Sequence, residues 1–195
     1  MDPIDIAVIG AGPCGIAVGA AAHERALKAV LFDKGCVAAS LVDYPYYMRF
    51  FSTSDRLEVG GVPFAIPEKN PSRLEALVYY RRVAEHFRLD IRQYEAVESI
   101  SGGEGSFSLN TRKMSGQERE FEAKRIVMAT GGFHAPNMLE VPGEDLPKVL
   151  HYYREPHPFF DQDVLVVGGS NSAVEASLED VFLHLVRRES EMARV

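Results

Sequence analysis

Three glycines and an aspartate near the N-terminus have the types and spacing of a dinucleotide site. In Gly10-Ala11-Gly12-Pro13-Cys14-Gly15, Gly10 allows the tight turn out of a strand and Gly12 has no Cβ to hold off a pyrophosphate. Gly15 lets the following helix pack close to the sheet. Asp33 stands 23 positions after Gly10, where an acid accepts hydrogen bonds from a ribose 2′-hydroxyl. The glycines could serve as turns alone, but strand, loop, helix, strand and acid in this order favour the dinucleotide. Lys34, beside the acid, joins the cofactor-binding candidates. A second loop, Gly168-Gly169-Ser170-Asn171-Ser172, lies close to the C-terminal end. Two such loops in one chain suggest an electron relay between two dinucleotides.

The elements that must position these residues follow from the residue pattern. Residues 4–9 are a β-branched run suited to a buried parallel strand. A helix from about Pro13 to Leu27 points its free N–H groups at the phosphates, and residues 29–32 make the second strand. Asn70 and Pro71 form an N-cap and first-position pair for a helix running to about Phe87, with Leu74, Leu77, Val78, Ala84 and Phe87 as its apolar stripe. Residues 97–100 and 107–110 read as strands around a glycine-rich turn, and the polar stretch 112–118 reads as a further turn. Residues 125–129 read as a buried strand. Proline, glycine and acid cluster at 136–147, the expected crossing between a domain at 1–142 and a second at 143–195.

The second loop is the weaker unit. Residues 164–167 are the strand expected to feed it, residues 172–178 a short helix carrying Glu175, and residues 181–186 the next strand, ending in Arg187-Arg188. That basic pair would suit the 2′-phosphate of NADPH, with a solvated charged tail as the alternative. Gly168 to Arg187 spans 19 positions against 23 for the first loop, a deficit close to one helical turn.

Composition narrows the partners. The chain has 195 residues, is 46% hydrophobic and carries a net charge of −7 without a basic block, which argues against nucleic acid or an anionic membrane. No apolar run approaches transmembrane length and the sequence does not open on a secretion signal, so the reading is cytoplasmic. Two cysteines are too few for a disulfide framework, and the six histidines lack metal-ligand spacing. No metal is expected.

Several segments add up to a family likeness. Ala129-Thr130-Gly131 followed by Leu139-Glu140-Val141-Pro142-Gly143 looks like the exit from the FAD domain of two-dinucleotide flavoprotein reductases. Phe50-Phe51-Ser52-Thr53-Ser54-Asp55-Arg56-Leu57, Gly61-Val62-Pro63-Phe64, Leu77-Val78-Tyr79-Tyr80-Arg81, His151-Tyr152-Tyr153 and residues 160–163 add to it. With the Gly10–Gly15 loop, they closely resemble the bacillithiol-disulfide reductase (YpdA-type) family of thioredoxin-reductase-like flavoproteins. The resemblance implies an α/β fold. A Rossmann-like FAD-binding domain with a parallel sheet and a β-meander would be followed by a partial NAD(P)-binding unit. It also implies FAD on the first loop, NADPH on the second and a small-molecule disulfide as substrate, with a homo-oligomer left open.

The same resemblance places Phe51, Ser52 and Thr53 near the flavin or its ribityl chain. It has Val97 touch the adenine by main chain, and Thr130 and Gly131 pass the FAD phosphates. Each also has a plain structural role: Phe51 as a core aromatic, Ser52 and Thr53 as turn residues, Thr130 as a strand-end cap. Cys14 stands where a helix N-terminus favours thiolate and a pyrophosphate opposes it. By resemblance it is a candidate redox thiol, replacing the Cys-x-x-Cys pair this sequence lacks; Cys36 is read as incidental. Relatives continue beyond this point with further NADPH-domain strands and a return segment. An FAD domain without that segment is expected to bind flavin weakly. Two other classes stay open, a flavin-dependent monooxygenase relative and a non-catalytic dinucleotide-binding fragment.

Overall fold

A computed structural model of the chain describes residues 4–168 together with Ala173 and Ala176. Residues 4–42 and 50–135 form one compact unit, and residues 43–49 with the described residues from 136 onward form another.

The first unit is built on a six-stranded sheet. Strand β1 (Ile4–Ile9) leads through the glycine loop into helix α1 (Pro13–Glu24), and β2 (Ala29–Phe32) follows. A single-turn helix α2 (Ala39–Val42), a 3-10 turn (Ser54–Leu57) and helix α3 (Arg73–His86) precede β3 (Asp90–Arg92). The meander is β4 (Glu95–Gly103), β5 (Ser106–Lys113) and β6 (Glu118–Met128). Across the sheet the order is β3, β2, β1, β6, β5, β4. β1 pairs in parallel with both β2 and β6, and β3 adds in parallel to β2. The expected α/β class, Rossmann-like with a meander, is therefore the observed one.

β6 joins the two halves of the sheet. Its first part, Glu118 to Ala123, pairs antiparallel with β5, and Ala123 to Met128 pairs with β1. Ala123, 1% exposed, belongs to both ladders, and a small residue lets the two halves close over it. Alternate residues of β1 face opposite sides of the sheet. Ala7 and Ile9 pack with Val30, Phe32, Leu109 and Ala123, while Ile6 and Val8 pack with Ala11 and Leu31.

Several elements differ from the sequence expectation. α1 stops at Glu24 instead of Leu27, because Ala26 turns left-handed at φ +53° and the Leu27 N–H reaches back to the Ala22 carbonyl. That closes the helix end without a glycine. α3 is capped by Ser72, not Asn70. Ser72 Oγ accepts from the Glu75 N–H while the Glu75 carboxylate accepts from the Ser72 N–H, a reciprocal capping box. The buried face of α3 is Ala76, Tyr79, Tyr80, Val83 and Ala84, with Phe87 just beyond. Leu74 is exposed, and Leu77 and Val78 line an open groove of about 620 Å³ with Val42, Leu89 and Ile91. The tyrosines win the interior because their hydroxyls find partners there. Tyr79 accepts from the Val59 N–H and donates to the Val62 carbonyl, and Phe64 stacks on its ring at 4.1 Å.

β6 is longer and less buried than expected for 125–129: its polar half from Glu118 is strand as well, and Met128 is exposed. The predicted turn at 112–118 shrinks to residues between Lys113 and Glu118, with Gly116 at φ +86°.

In the second unit, Tyr46 N–H donates to the Arg154 carbonyl and the Arg154 guanidinium holds Asp43 at 3.0 Å. Residues 157–159 form a 3-10 turn, where Tyr153 stacks on Phe159. The strand predicted at 164–167 is not formed. Those residues have no strand neighbour among the described residues, and Leu165 and Val167 are exposed by 84% and 68%. An apolar run becomes a strand only when a second strand satisfies its backbone.

Candidate dinucleotide site

The three glycines of the first loop do different jobs. Gly10 turns the chain at φ +113°, and a Cβ there would run into the Ala129 carbonyl. A Cβ on Gly15 would meet the Gly10 carbonyl oxygen. Both are demanded by the fold. Gly12 is different: its φ is −76°, open to any residue, and no atom of the described residues lies within 4 Å of a Cβ built on it. The fold does not require glycine at Gly12, so the open space in front of it is room for a ligand.

Gly12 is also the N-cap of α1, with Pro13 at the first position and no side chain capping the helix. The first-turn N–H groups therefore look for acceptors outside the helix, which is how helix N-termini hold phosphate. Cys14 is exposed in that first turn. The fit to a dinucleotide pyrophosphate is good: a backbone cradle clear of side chains, at the positive end of a helix. Thr130 and Gly131 follow β6 directly beside Gly10, since the Ala129 N–H bonds the Ile9 carbonyl and Thr130 N is the next nearest atom to a Gly10 Cβ.

Asp33 ends β2 and is bonded on every side. Its Oδ2 accepts from the Ala11 N–H at 2.7 Å and its Oδ1 from the Gly35 N–H at 2.8 Å. Its own N–H donates to the Arg92 carbonyl, and its carbonyl accepts from the Glu95 N–H. The Tyr94 N–H bonds the Gly35 carbonyl, so the start of β4 is tied to the acid's turn. Val97 lies two residues further along. Its half-buried side chain packs against the sheet core. A β-bulge falls between Val97 and Ser99, taking Glu98 out of the ladder, a feature common beside binding sites. Lys34 is exposed and lines a small cleft with Tyr94, Ala96, Glu98 and Arg112.

Phe51 is 55% exposed, on a segment clasped by Asn70, whose side-chain amide donates to the Phe50 and Phe51 carbonyls. The Phe50 N–H returns a bond to the Pro71 carbonyl. The Thr53 hydroxyl bonds Asp55, which holds that carboxyl below its ordinary value, and Ser52 is exposed. Gly168 is left-handed at φ +121°. Gly169, Ser170, Asn171, Ser172, Arg187 and Arg188 lie outside the described residues, as does the predicted strand at 181–186; of the predicted helix at 172–178 only Ala173 and Ala176 are described, and both are helical. Among the described residues no group of three His, Cys, Asp or Glu could hold a metal, and no helix is long and apolar enough to cross a membrane.

Sequence reasoning missed the Asp33 network with Ala11 and Gly35, because backbone donors leave no mark in residue type. It also missed the buried pair behind it. Glu95 and Thr111 are 1% and 2% exposed, with the Thr111 hydroxyl donating to Glu95 Oε1 at 2.7 Å. The Ser72-x-x-Glu75 spacing, by contrast, was a legible capping signal.

Comparison with known proteins agrees with the geometry. The family model described as pyridine nucleotide-disulphide oxidoreductase matches residues 7–192. Bacilliredoxin reductase Bdr of Bacillus subtilis is 38% identical over 172 residues, 88% of this chain and 52% of that protein. The structure of bacillithiol disulfide reductase Bdr (YpdA) from Bacillus cereus superposes with a TM-score of 0.88 at 39% identity, covering 93% of this chain and 56% of the other. Its counterpart from Staphylococcus aureus gives 0.85 at 40% identity, over 92% and 54%. The chain thus spans about half the length of the relatives it matches. The motif likeness to bacillithiol-disulfide reductases is borne out. With that match laid over a ligand-ready glycine cradle, the chain belongs to the pyridine nucleotide-disulphide oxidoreductase family.

Proposed function

We propose that this chain forms the dinucleotide-binding part of a flavin-dependent disulfide reductase, with FAD on the Gly10–Gly15 loop and NADPH on the segment that begins at Gly168. The observation that carries the reading is the open space before Gly12, backed by the uncapped N-terminus of α1. On this reading residues 1–142 are the FAD domain and residues 143–195 the NADPH-binding portion. Bound together, the two cofactors would supply a two-electron transfer in which NADPH, a proton and a disulfide become NADP⁺ and two thiols.

The chain's own residues then have separable tasks. Gly12, Pro13 and the first turn of α1 hold the pyrophosphate, with Thr130 and Gly131 beside it. Asp33 and Lys34 face the adenosine ribose, and the Val97 main chain meets the adenine. Phe51, Ser52 and Thr53 serve the flavin end. Gly169, Ser170, Asn171, Ser172, Arg187 and Arg188 are assigned to NADPH by the motif alone. Cys14, an exposed thiol in the first turn, is the candidate to attack a small disulfide. Its sulfur would displace one thiol to leave a mixed disulfide, and the two electrons from NADPH would release the second. The disulfide class follows the names of the relatives, bacillithiol disulfide being the substrate to try first; the site of action is the cytoplasm.

The test is the purified full chain. A flavin absorbance spectrum with bound FAD, one NADPH consumed per bacillithiol disulfide, and two thiols formed are expected, and Cys14→Ser should abolish thiol formation while FAD stays bound. A chain that takes up no FAD overturns the reading. NADPH oxidation that yields peroxide without thiol would move it to the flavin monooxygenase class.

A further inference from the structure

The Asp33 carboxylate is engaged on both oxygens by the protein's own backbone, Oδ2 by Ala11 and Oδ1 by Gly35. We propose that Asp33 is a positioning residue: its carboxylate latches the Gly10–Gly15 loop to the Lys34–Gly35 turn, and this latch outweighs any direct bond to ribose in its contribution to dinucleotide binding. The binding half of the proposal rests on the flavin reading above, while the latch itself stands on the geometry of the chain.

Three observations support it. Ala11 is fully buried, so without Asp33 its N–H would have no water to turn to and would carry its full desolvation cost. Its carbonyl is already used by the Ala38 N–H at 2.9 Å, so Ala11 is held from both sides. Ala11 also lies between two glycines, where the backbone has most freedom to lose and a fixed anchor most to contribute. An ionised carboxylate offers about four lone-pair positions, so one on each oxygen is left for hydroxyls. The two bonds in place are charge-assisted and therefore among the stronger of their kind. A glutamate would keep charge and acceptors but carry them one methylene away from its own backbone.

The experiment uses the full chain with Asp33→Asn and Asp33→Glu. Amide hydrogen exchange is read at Ala11 and Gly35 without ligand, with Val8 and Val30 as fold controls. Affinity is then measured for FAD and for FAD lacking the adenosine 2′-hydroxyl. Both variants should speed Ala11 exchange at least about tenfold while the controls hold. Asp33→Asn should weaken both dinucleotides by the same factor, roughly ten- to hundredfold. Unchanged Ala11 exchange in both variants overturns the latch, and so does an affinity loss that vanishes with the 2′-deoxy analogue. If the variants do not fold, through-hydrogen-bond couplings from the Ala11 and Gly35 amides to the Asp33 carboxyl carbon in the natural chain decide it: present, the latch stands; absent, it falls. A natural chain that binds neither dinucleotide sinks the flavin reading, and the exchange result still decides the latch.

Discussion

The turns at Gly10 and Gly168 both use a left-handed glycine, at φ +113° and +121°, after an apolar run. What surrounds them differs. β1 has a parallel neighbour on each edge, and its loop is bound by Asp33 from β2 and by Ala129 behind β6. Residues 164–167 have no strand neighbour among the described residues, and Leu165 and Val167 face solvent. A glycine-rich loop is local chemistry, whereas a cradle for phosphate is a property of the strands that aim it. The family match covers both loops, but only the first has its supports in the described structure.

The largest effect should come from filling the first turn. Gly15→Ala would drive a Cβ into the Gly10 carbonyl, backbone against backbone with no flexible atom to give way. Chemical denaturation should show a loss of about 3 kcal/mol or more. Gly168→Ala, whose Cβ would meet, among the described residues, the Ala173 Cβ at 3.7 Å, should cost about 1 kcal/mol for its left-handed backbone. Equal losses at the two positions would mean that the Gly168 turn is as tightly built as the Gly10 turn.

Next comes the support behind Asp33. Thr111→Val removes the hydroxyl that donates to the buried Glu95 Oε1, at the foot of the strand whose N–H holds the Asp33 carbonyl. A loss of about 2 kcal/mol is expected in denaturant unfolding. Gly12→Ala separates stability from binding. With φ −76° and open space ahead, its stability should change by less than about 0.5 kcal/mol. FAD affinity should nevertheless fall at least about tenfold, because the methyl occupies the pyrophosphate's place. If affinity is unchanged, the open space at Gly12 is not the phosphate site.

The glycine loop, the acid and the first two strands were legible because each depends on residue type at short spacing. The meander was legible only in part. β6 has a polar half that carries no strand signal in its residue types and becomes strand because β5 lies beside it. α3 was misread at both ends of the same argument. Asn70 fits an N-cap, but its amide is spent on the Phe50 and Phe51 carbonyls, a long-range demand that local spacing does not carry. Tyr79 and Tyr80 displaced the predicted leucines from the interior because the chain at residues 57–62 supplies partners for their hydroxyls. The network around Asp33 was invisible for the same reason: its donors are backbone N–H groups brought close by the fold.

The smallest expected effect tests whether the second unit uses the same device. Glu144 there resembles Asp33, accepting from the Leu139 N–H at 2.8 Å and the Glu140 N–H at 2.7 Å, with His151 Nε2 at 3.3 Å. The Leu139 N–H above all, then His151 and the Glu140 N–H, favour the ionised form and hold the Glu144 carboxyl below its ordinary value of 4.5. A lowered carboxyl stabilises the fold above its unfolded value, and that contribution is lost as pH falls through the lowered one. Amide resonances of Leu139 and Glu140 should therefore move together in one step below about pH 4.5. Glu144→Gln should abolish the shared movement and leave the Ala11 resonance where it was. If Leu139 and Glu140 titrate separately, the second unit lacks a carboxylate latch, and the contrast between the two regions extends from their strands to their turns.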